Sequence, residues 1–181
     1  MTNLTRVTTL GVLALGLATV AAAQDRRFAI EARGGLNVPT FDIADVAESG
    51  PSFGAGVSYR LSSTLWLIGD VDFGSHDVKG SSAQIDVNHY IAKLGYDLTA
   101  GKAGPWSVIL NAGAGAMTFD GGAESYTYPA INVGAKIAYR IGGQFALVLS
   151  PQGDIAFGKE AEIGTTNAWV WPFAAGLRVT F

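Results

Sequence analysis

Residues 131–141 read INVGAKIAYRI, and the two faces of that stretch are chemically opposite. Taken as an extended strand, one parity presents Ile131, Val133, Ala135, Ile137, Tyr139 and Ile141. The other presents Asn132, Gly134, Lys136, Ala138 and Arg140, because successive side chains of a strand point to opposite faces. The question is whether the apolar row faces a core or faces lipid.

The division recurs along the chain. Leu65, Leu67, Gly69, Val71 and Phe73 oppose Trp66, Ile68, Asp70, Asp72 and Gly74. Tyr90, Ala92, Leu94, Tyr96 and Leu98 oppose His89, Ile91, Lys93, Gly95 and Asp97. Four segments carry two charges each: Glu31/Arg33, Asp70/Asp72, Lys93/Asp97 and Lys136/Arg140. Every pair has even spacing and so shares a face, which chance would give about one time in sixteen.

Eight alternating segments follow one another, roughly 28–37, 52–61, 65–74, 87–98, 106–119, 130–141, 145–157 and 169–181. Most reach the length of about 9–11 residues that a tilted transmembrane strand needs. The breaks between them alternate. Those at 62–64, 99–105 and 142–144 are short, and those at 38–51, 75–86, 120–129 and 158–168 are longer and more polar. Short turns at one end and long loops at the other are the layout of an outer-membrane barrel. The expected fold is all-β: an eight-stranded antiparallel transmembrane β-barrel with up-and-down meander order.

Composition agrees. The 181 residues include only 15% charged side chains, 24 glycines and no cysteine, with a formal charge of −3. A mildly acidic chain offers nothing to nucleic acid, and no thiol is available for disulfides, metal binding or catalysis. No cofactor is expected. The N-terminus places one basic residue, Arg6, before the apolar run Leu10–Val20 and the triplet Ala21-Ala22-Ala23. That order is the grammar of a secretory signal, with Ala21 and Ala23 framing cleavage before Gln24. Residues 1–23 are thus expected to be a signal peptide and 24–181 the barrel domain. Without a cysteine, a lipoprotein anchor is not expected.

Aromatic residues fall at two levels. With the short turns on the inner side, Phe28, Tyr59, Tyr96, Trp106, Tyr139, Phe145 and Phe181 gather at one interface. Phe53, Phe73, Tyr90, Phe157, Trp169 and Trp171 gather at the other, as aromatic belts at membrane interfaces do. Pro151 and Pro172 lie in neighbouring strands and each removes a ladder donor, so bulges or fraying are expected there.

With its N-terminal signal, YIAKLGYDL at 90–98, INVGAKIAYRI at 131–141 and the terminal FAAGLRVTF, the chain resembles the small outer-membrane β-barrel family, the OmpA/OmpX-type eight-stranded porin-like proteins. The likeness runs from about Phe28 to Phe181. It implies a bacterial outer-membrane location, outer-membrane lipid and lipopolysaccharide as surroundings, and a monomer. It also implies that Phe173, Leu177, Val179 and Phe181 carry the signal read by the outer-membrane assembly machinery. Some relatives continue into a peptidoglycan-binding domain, which is not expected here.

The expected lumen holds Glu31, Asp70, Asp72, Asp97 and Asp154 against Arg33, Arg60, Lys93, Lys136, Arg140 and Arg178. In so narrow a barrel these charges should pair and plug the interior. A small pore for ions or apolar solutes is the alternative. Inward glycines at 54, 56, 113, 115 and 134 could leave voids or relieve crowding. A soluble lipocalin-like barrel would invert the two faces.

The loops are acidic, and 40–52 could form a short helix begun at Asp42 and ended by Gly50-Pro51. Its acids match no calcium-loop spacing. Residues 125–129, SYTYP, could be an adhesive tip, or equally part of the outer aromatic belt or loop packing. The only histidines are His76 and His89. A lipid A-modifying enzyme would need a histidine within reach of a serine, yet adjacent Ser75 and His76 point apart in a strand. The favoured role is structural or surface-interacting, without catalysis.

Overall fold

A computed structural model describes residues 27–181. The expected cleavage site at Ala21 and Ala23 lies outside the described residues. Eight strands run in sequence order: β1 Phe28–Thr40, β2 Gly50–Arg60, β3 Leu65–Asp77, β4 Gln84–Asp97, β5 Trp106–Asp120, β6 Ser125–Gly142, β7 Phe145–Phe157 and β8 Asn167–Thr180. They form a closed antiparallel barrel in which each strand pairs with its sequence neighbours. β1 closes on β8 from Ala29–Thr180 to Thr40–Trp169. At the rim Phe181 donates its N–H to the Phe28 carbonyl at 2.7 Å, and Phe28 donates back at 3.2 Å. Closure leaves no open sheet edge, which a bilayer core demands.

Parity sorts the side chains as the alternation predicts. Leu94 is 61% exposed, Val133 52% and Leu177 50%, whereas Lys136 is 0% and Glu31 1%. The skin is apolar and the charges are inside, opposite to a water-soluble barrel. Aromatic pairs mark both rims. Trp106 and Tyr139 meet edge-on at 4.8 Å at the short-turn end, while Phe53 and Phe73 stack at 5.2 Å towards the long-loop end.

The short turns have local causes. Ser62 Oγ accepts the N–H of Leu65 at 3.1 Å, and Gly143 adopts φ 52 in the two-residue link from β6 to β7, a conformation glycine takes without strain. The long-loop strands reach further than the sequence pattern indicates. β3 continues to Asp77 and β6 starts at Ser125, so SYTYP is strand rather than a loop tip. Tyr128 of that stretch is buried beside Phe119, with ring centroids 6.3 Å apart.

The first loop forms α1, Asp42–Val46, a single turn. It stops well before Gly50 because Ala47 bridges Val78 and the Glu48 N–H reaches the Asp77 carbonyl at 2.9 Å, pulling the chain back to extended form. A second single turn, α2 Glu160–Ile163, ends on left-handed Gly164.

Neither proline shifts the register. Pairing passes from Gly134–Gln152 to Ile137–Leu149, and from Pro151–Phe173 to Asp154–Val170, without slippage. Pairing is nonetheless interrupted for two residues beside each proline, at Ala135 and Lys136 against Ser150 and Pro151, and at Gln152 and Gly153 against Trp171 and Pro172, and a further irregularity falls at Arg140/Gly142. At Pro151 the missing donor is replaced: Gln152 Nε2 donates to the Ala135 carbonyl at 2.8 Å.

Candidate functional site

The interior is stratified along the barrel axis. Its middle is an ionic layer built on β1, β3, β4, β6 and β8. Glu31 takes Arg33 at 2.7 Å, Lys136 at 2.5 Å and Arg178 at 3.4 Å. Asp70 takes Arg33 at 3.0 Å, Lys93 at 2.9 Å and Lys136 at 3.1 Å. Asp72 holds the other Arg33 nitrogen at 3.1 Å. From β7, Gln152 Oε1 accepts Lys93 Nζ at 2.9 Å. Charges of both signs from opposite walls therefore meet at hydrogen-bond distance.

Small residues make that meeting possible. A Cβ on Gly56 would collide with Asp70 Oδ1 and come within 3.0 Å of Arg33 Nη1, and one on Gly54 would collide with the Asp72 carboxylate. A Cβ on Gly134 would strike the Gln152 amide at 2.5 Å. These inward glycines accommodate the polar groups of the layer.

A second polar set lies towards the long loops. His89 Nδ1 meets Asp154 Oδ2 at 2.7 Å, and Asn132 Nδ2 donates to Asp154 Oδ1 at 2.6 Å. Asn37 Nδ2 lies 3.4 Å from His89 Nε2. A carboxylate can only accept, so His89 Nδ1 carries a proton.

The other expected lumen residues sit at the short-turn end. The guanidinium of Arg60 lies 5.7 Å from the Trp66 ring and that of Arg178 4.8 Å, within cation–π range. Asp97 caps its turn, accepting the Thr99 N–H at 2.8 Å. Arg140 departs from the expectation. It is exposed beside the Arg140/Gly142 irregularity, where the strand has outrun the barrel interior, and it lines a short-turn chamber of about 400 Å³ with Lys102 and Gln144.

Beyond that polar set, towards the long loops, the interior carries an apolar cluster, which the charge pattern did not reveal. Val87, Ile91, Met117, Phe119, Tyr128 and Val170 form a buried cluster with Ile43 of α1. Beside it is a chamber of about 460 Å³ that shares no lining residue with the short-turn chamber. The signal was present in the sequence: Met117 and Phe119 continue the inward parity of Asn111, Gly113 and Gly115.

His76 lies towards this end of the barrel. Its ring is 1% exposed, and Nδ1 lies 2.8 Å from the Glu48 carbonyl oxygen. Its neighbour Asp77 instead accepts from Gln84 Nε2 at 2.9 Å. Outside the strands, Glu162 of α2 accepts from the Tyr128 hydroxyl and from Lys159 Nζ at 3.0 Å. Those two donors hold its carboxyl below the usual glutamate range.

Among the described residues no group of three or more acids and histidines could hold a metal ion.

Comparison with known proteins gives the same architecture. No curated protein sequence matches. Among solved structures, Neisserial surface protein A (NspA) is 19% identical with a TM-score of 0.68, covering 85% of this chain and 97% of its own. The outer membrane protein OprG from Pseudomonas aeruginosa is 14% identical with a TM-score of 0.62, covering 86% and 97%. The N-terminal β-barrel domain of Pseudomonas aeruginosa OprF is 15% identical with a TM-score of 0.57, covering 87% and 98%. At such identities the likeness is one of fold. A family model described as outer membrane protein beta-barrel domain matches residues 9–181. With an apolar skin, an ionic interior and that match, the chain belongs to the outer membrane protein beta-barrel domain family and is a barrel of the bacterial outer membrane.

Proposed function

We propose that this protein is a plugged, non-conducting outer-membrane barrel that acts as a scaffold and through its long-loop face. The observation that carries the reading is the bridge from Glu31 on β1 to Lys136 on β6, two residues 105 apart in sequence and in contact at 2.5 Å across the lumen. With Arg33, Asp70, Asp72 and Lys93 joined to it, an ion entering from either chamber would have to displace buried paired charges, which costs several kcal/mol per unpaired ion. Single-channel recording in planar bilayers tests the plug. A silent membrane at high protein density is the expected result, and steady, reproducible openings would refute it.

Biogenesis follows the family pattern in this reading. Phe173, Leu177, Val179 and Phe181 present one row at the end of β8 for the assembly machinery, and a Phe181→Ala variant should accumulate unassembled. Cleavage between Ala23 and Gln24 should leave Gln24 as the N-terminal residue of protein purified from outer membranes. The partners are outer-membrane lipid and lipopolysaccharide, and the particle is a monomer, checked by light scattering in detergent.

A further inference from the structure

The chamber at the short-turn end gathers cations in a chain that is acidic as a whole. Arg60, Lys102, Arg140 and Arg178 all line it, and among the described lining residues Asp97 is the one acid. Its volume of about 400 Å³ falls within the range of roughly 300–1,000 Å³ typical of small-molecule pockets.

The strand register sets the cations around a gap. Arg140 and Arg178 stand on either side of Ala146, two strand spacings or about 10 Å apart at Cα, with only a methyl group between them. The acids nearby are engaged elsewhere. Asp97 accepts the Thr99 N–H at 2.8 Å, and Glu31 reaches Arg178 at 3.4 Å from the ionic layer. Setting Asp97 and Glu31 against the four cations leaves an excess of two positive charges.

The donors are reachable, and the carboxylates of the layer are not. Lys102, Arg140, Ser63 and Gln144 are exposed and line the chamber. Along the inward face of β3, Trp66 and Ile68 come before Asp70, and both are buried with Ile109 as an apolar plate. An anion entering from the short-turn side therefore meets the cations first. A positive cleft with low-dielectric walls focuses its field on such a ligand, and a guanidinium grips carboxylate or phosphate through paired hydrogen bonds.

We propose that this chamber binds a small water-soluble dianion, a phosphate monoester or a dicarboxylate, held by Arg140 and Lys102. Short turns face the periplasm in barrels of this kind, so the ligand comes from that compartment. The site holds whether or not the ionic layer conducts.

The test is calorimetric titration of the whole barrel in phosphatidylcholine nanodiscs, at low salt and without phosphate buffer, with glycerol 3-phosphate, succinate and glycerol. Both dianions should bind with Kd below about 1 mM, and glycerol should not bind. Arg140→Gln and Lys102→Gln should each weaken the dianions about tenfold, the loss of one charge-assisted hydrogen bond. Lys79→Gln, at the long-loop end, should leave them unchanged. No dianion binding, glycerol binding as tightly, undiminished binding in either chamber variant, or an equal loss in Lys79→Gln would each overturn the proposal. Lipid head groups carry the same phosphate chemistry, and the guanidinium ¹⁵N resonance of Arg140 separates the two sources. It must move on addition of glycerol 3-phosphate and stay still when phosphatidylglycerol replaces phosphatidylcholine in ligand-free discs. Movement with the lipid alone would assign the chamber to head groups and overturn the proposal.

Discussion

Gln152 donates from Nε2 to the carbonyl oxygen of Ala135 at 2.8 Å, beside a proline that has no N–H to offer. The same amide's oxygen receives Lys93 Nζ, so one side chain both mends the β6–β7 ladder and ties it to the ionic layer. Gln152→Leu should therefore lower stability by roughly 1–3 kcal/mol, read from urea unfolding in detergent. Restoring the backbone donor with Pro151→Val in that background should recover part of the loss. No recovery would mean that the amide does not stand in for the proline's missing donor.

Gly56 faces the Asp70 carboxylate, which is held from three directions and cannot retreat. Gly56→Ala should cost about 1–3 kcal/mol through overpacking. The same change at Gly122, whose added Cβ would meet nothing within 4 Å but whose φ is 84, should cost only its backbone strain. Comparing unfolding midpoints of the two variants separates crowding from strain.

Lys136 is the innermost cation of the layer. Lys136→Met leaves Glu31 and Asp70 short of a partner and should destabilise by about 3–5 kcal/mol. The double change Lys136→Met with Glu31→Gln should be milder than the single one. A double variant as unstable as the sum of its parts would show that the two residues are not coupled.

Glu162 titrates below an ordinary glutamate because the Tyr128 hydroxyl and Lys159 donate to it. A carboxyl lowered in the folded state contributes stability that is present above its unfolded value and lost as pH falls through the folded one. Docking of α2 should thus hold at neutral pH and loosen only at pH values below the usual glutamate range. Tyr128→Phe should move that loosening upward in pH. Carboxyl ¹³C titration of Glu162 in both proteins is the measurement.

Trp66 and Trp106 lie near the same rim on opposite faces of the wall, the first 6% and the second 58% exposed. In single-tryptophan variants, lipids brominated near the head group should quench Trp106 strongly and Trp66 little. The reverse order would invert the barrel.

The wall was legible in the sequence because its signal is periodic and redundant: every strand repeats apolar-out, so single errors do not change the reading. Parity also brought Glu31, Arg33, Asp70, Lys93, Lys136 and Arg178 to the inside. Height along the axis was not legible. Arg140 and Lys136 share a parity, yet one is buried and the other clears the rim, because parity says which way a side chain points and not how far the lumen extends. The apolar cluster towards the long loops was missed for a related reason. Val87, Met117 and Val170 read as ordinary strand residues until closure stacks them against Ile43 of α1. Pro151 interrupts the ladder as its missing donor requires, but the side chain that compensates beside it is something no propensity rule contains.

The span from Glu31 to Lys136 has a consequence for how the barrel is made. No hairpin or half-sheet places those two charges together, so every partly built intermediate within the bilayer would leave an ammonium or a carboxylate facing hydrocarbon. Burying the charges and completing the cylinder should then be one event, and insertion should be cooperative. Strands should commit to the membrane as a set, with few stable stopping points between the lipid surface and the finished wall.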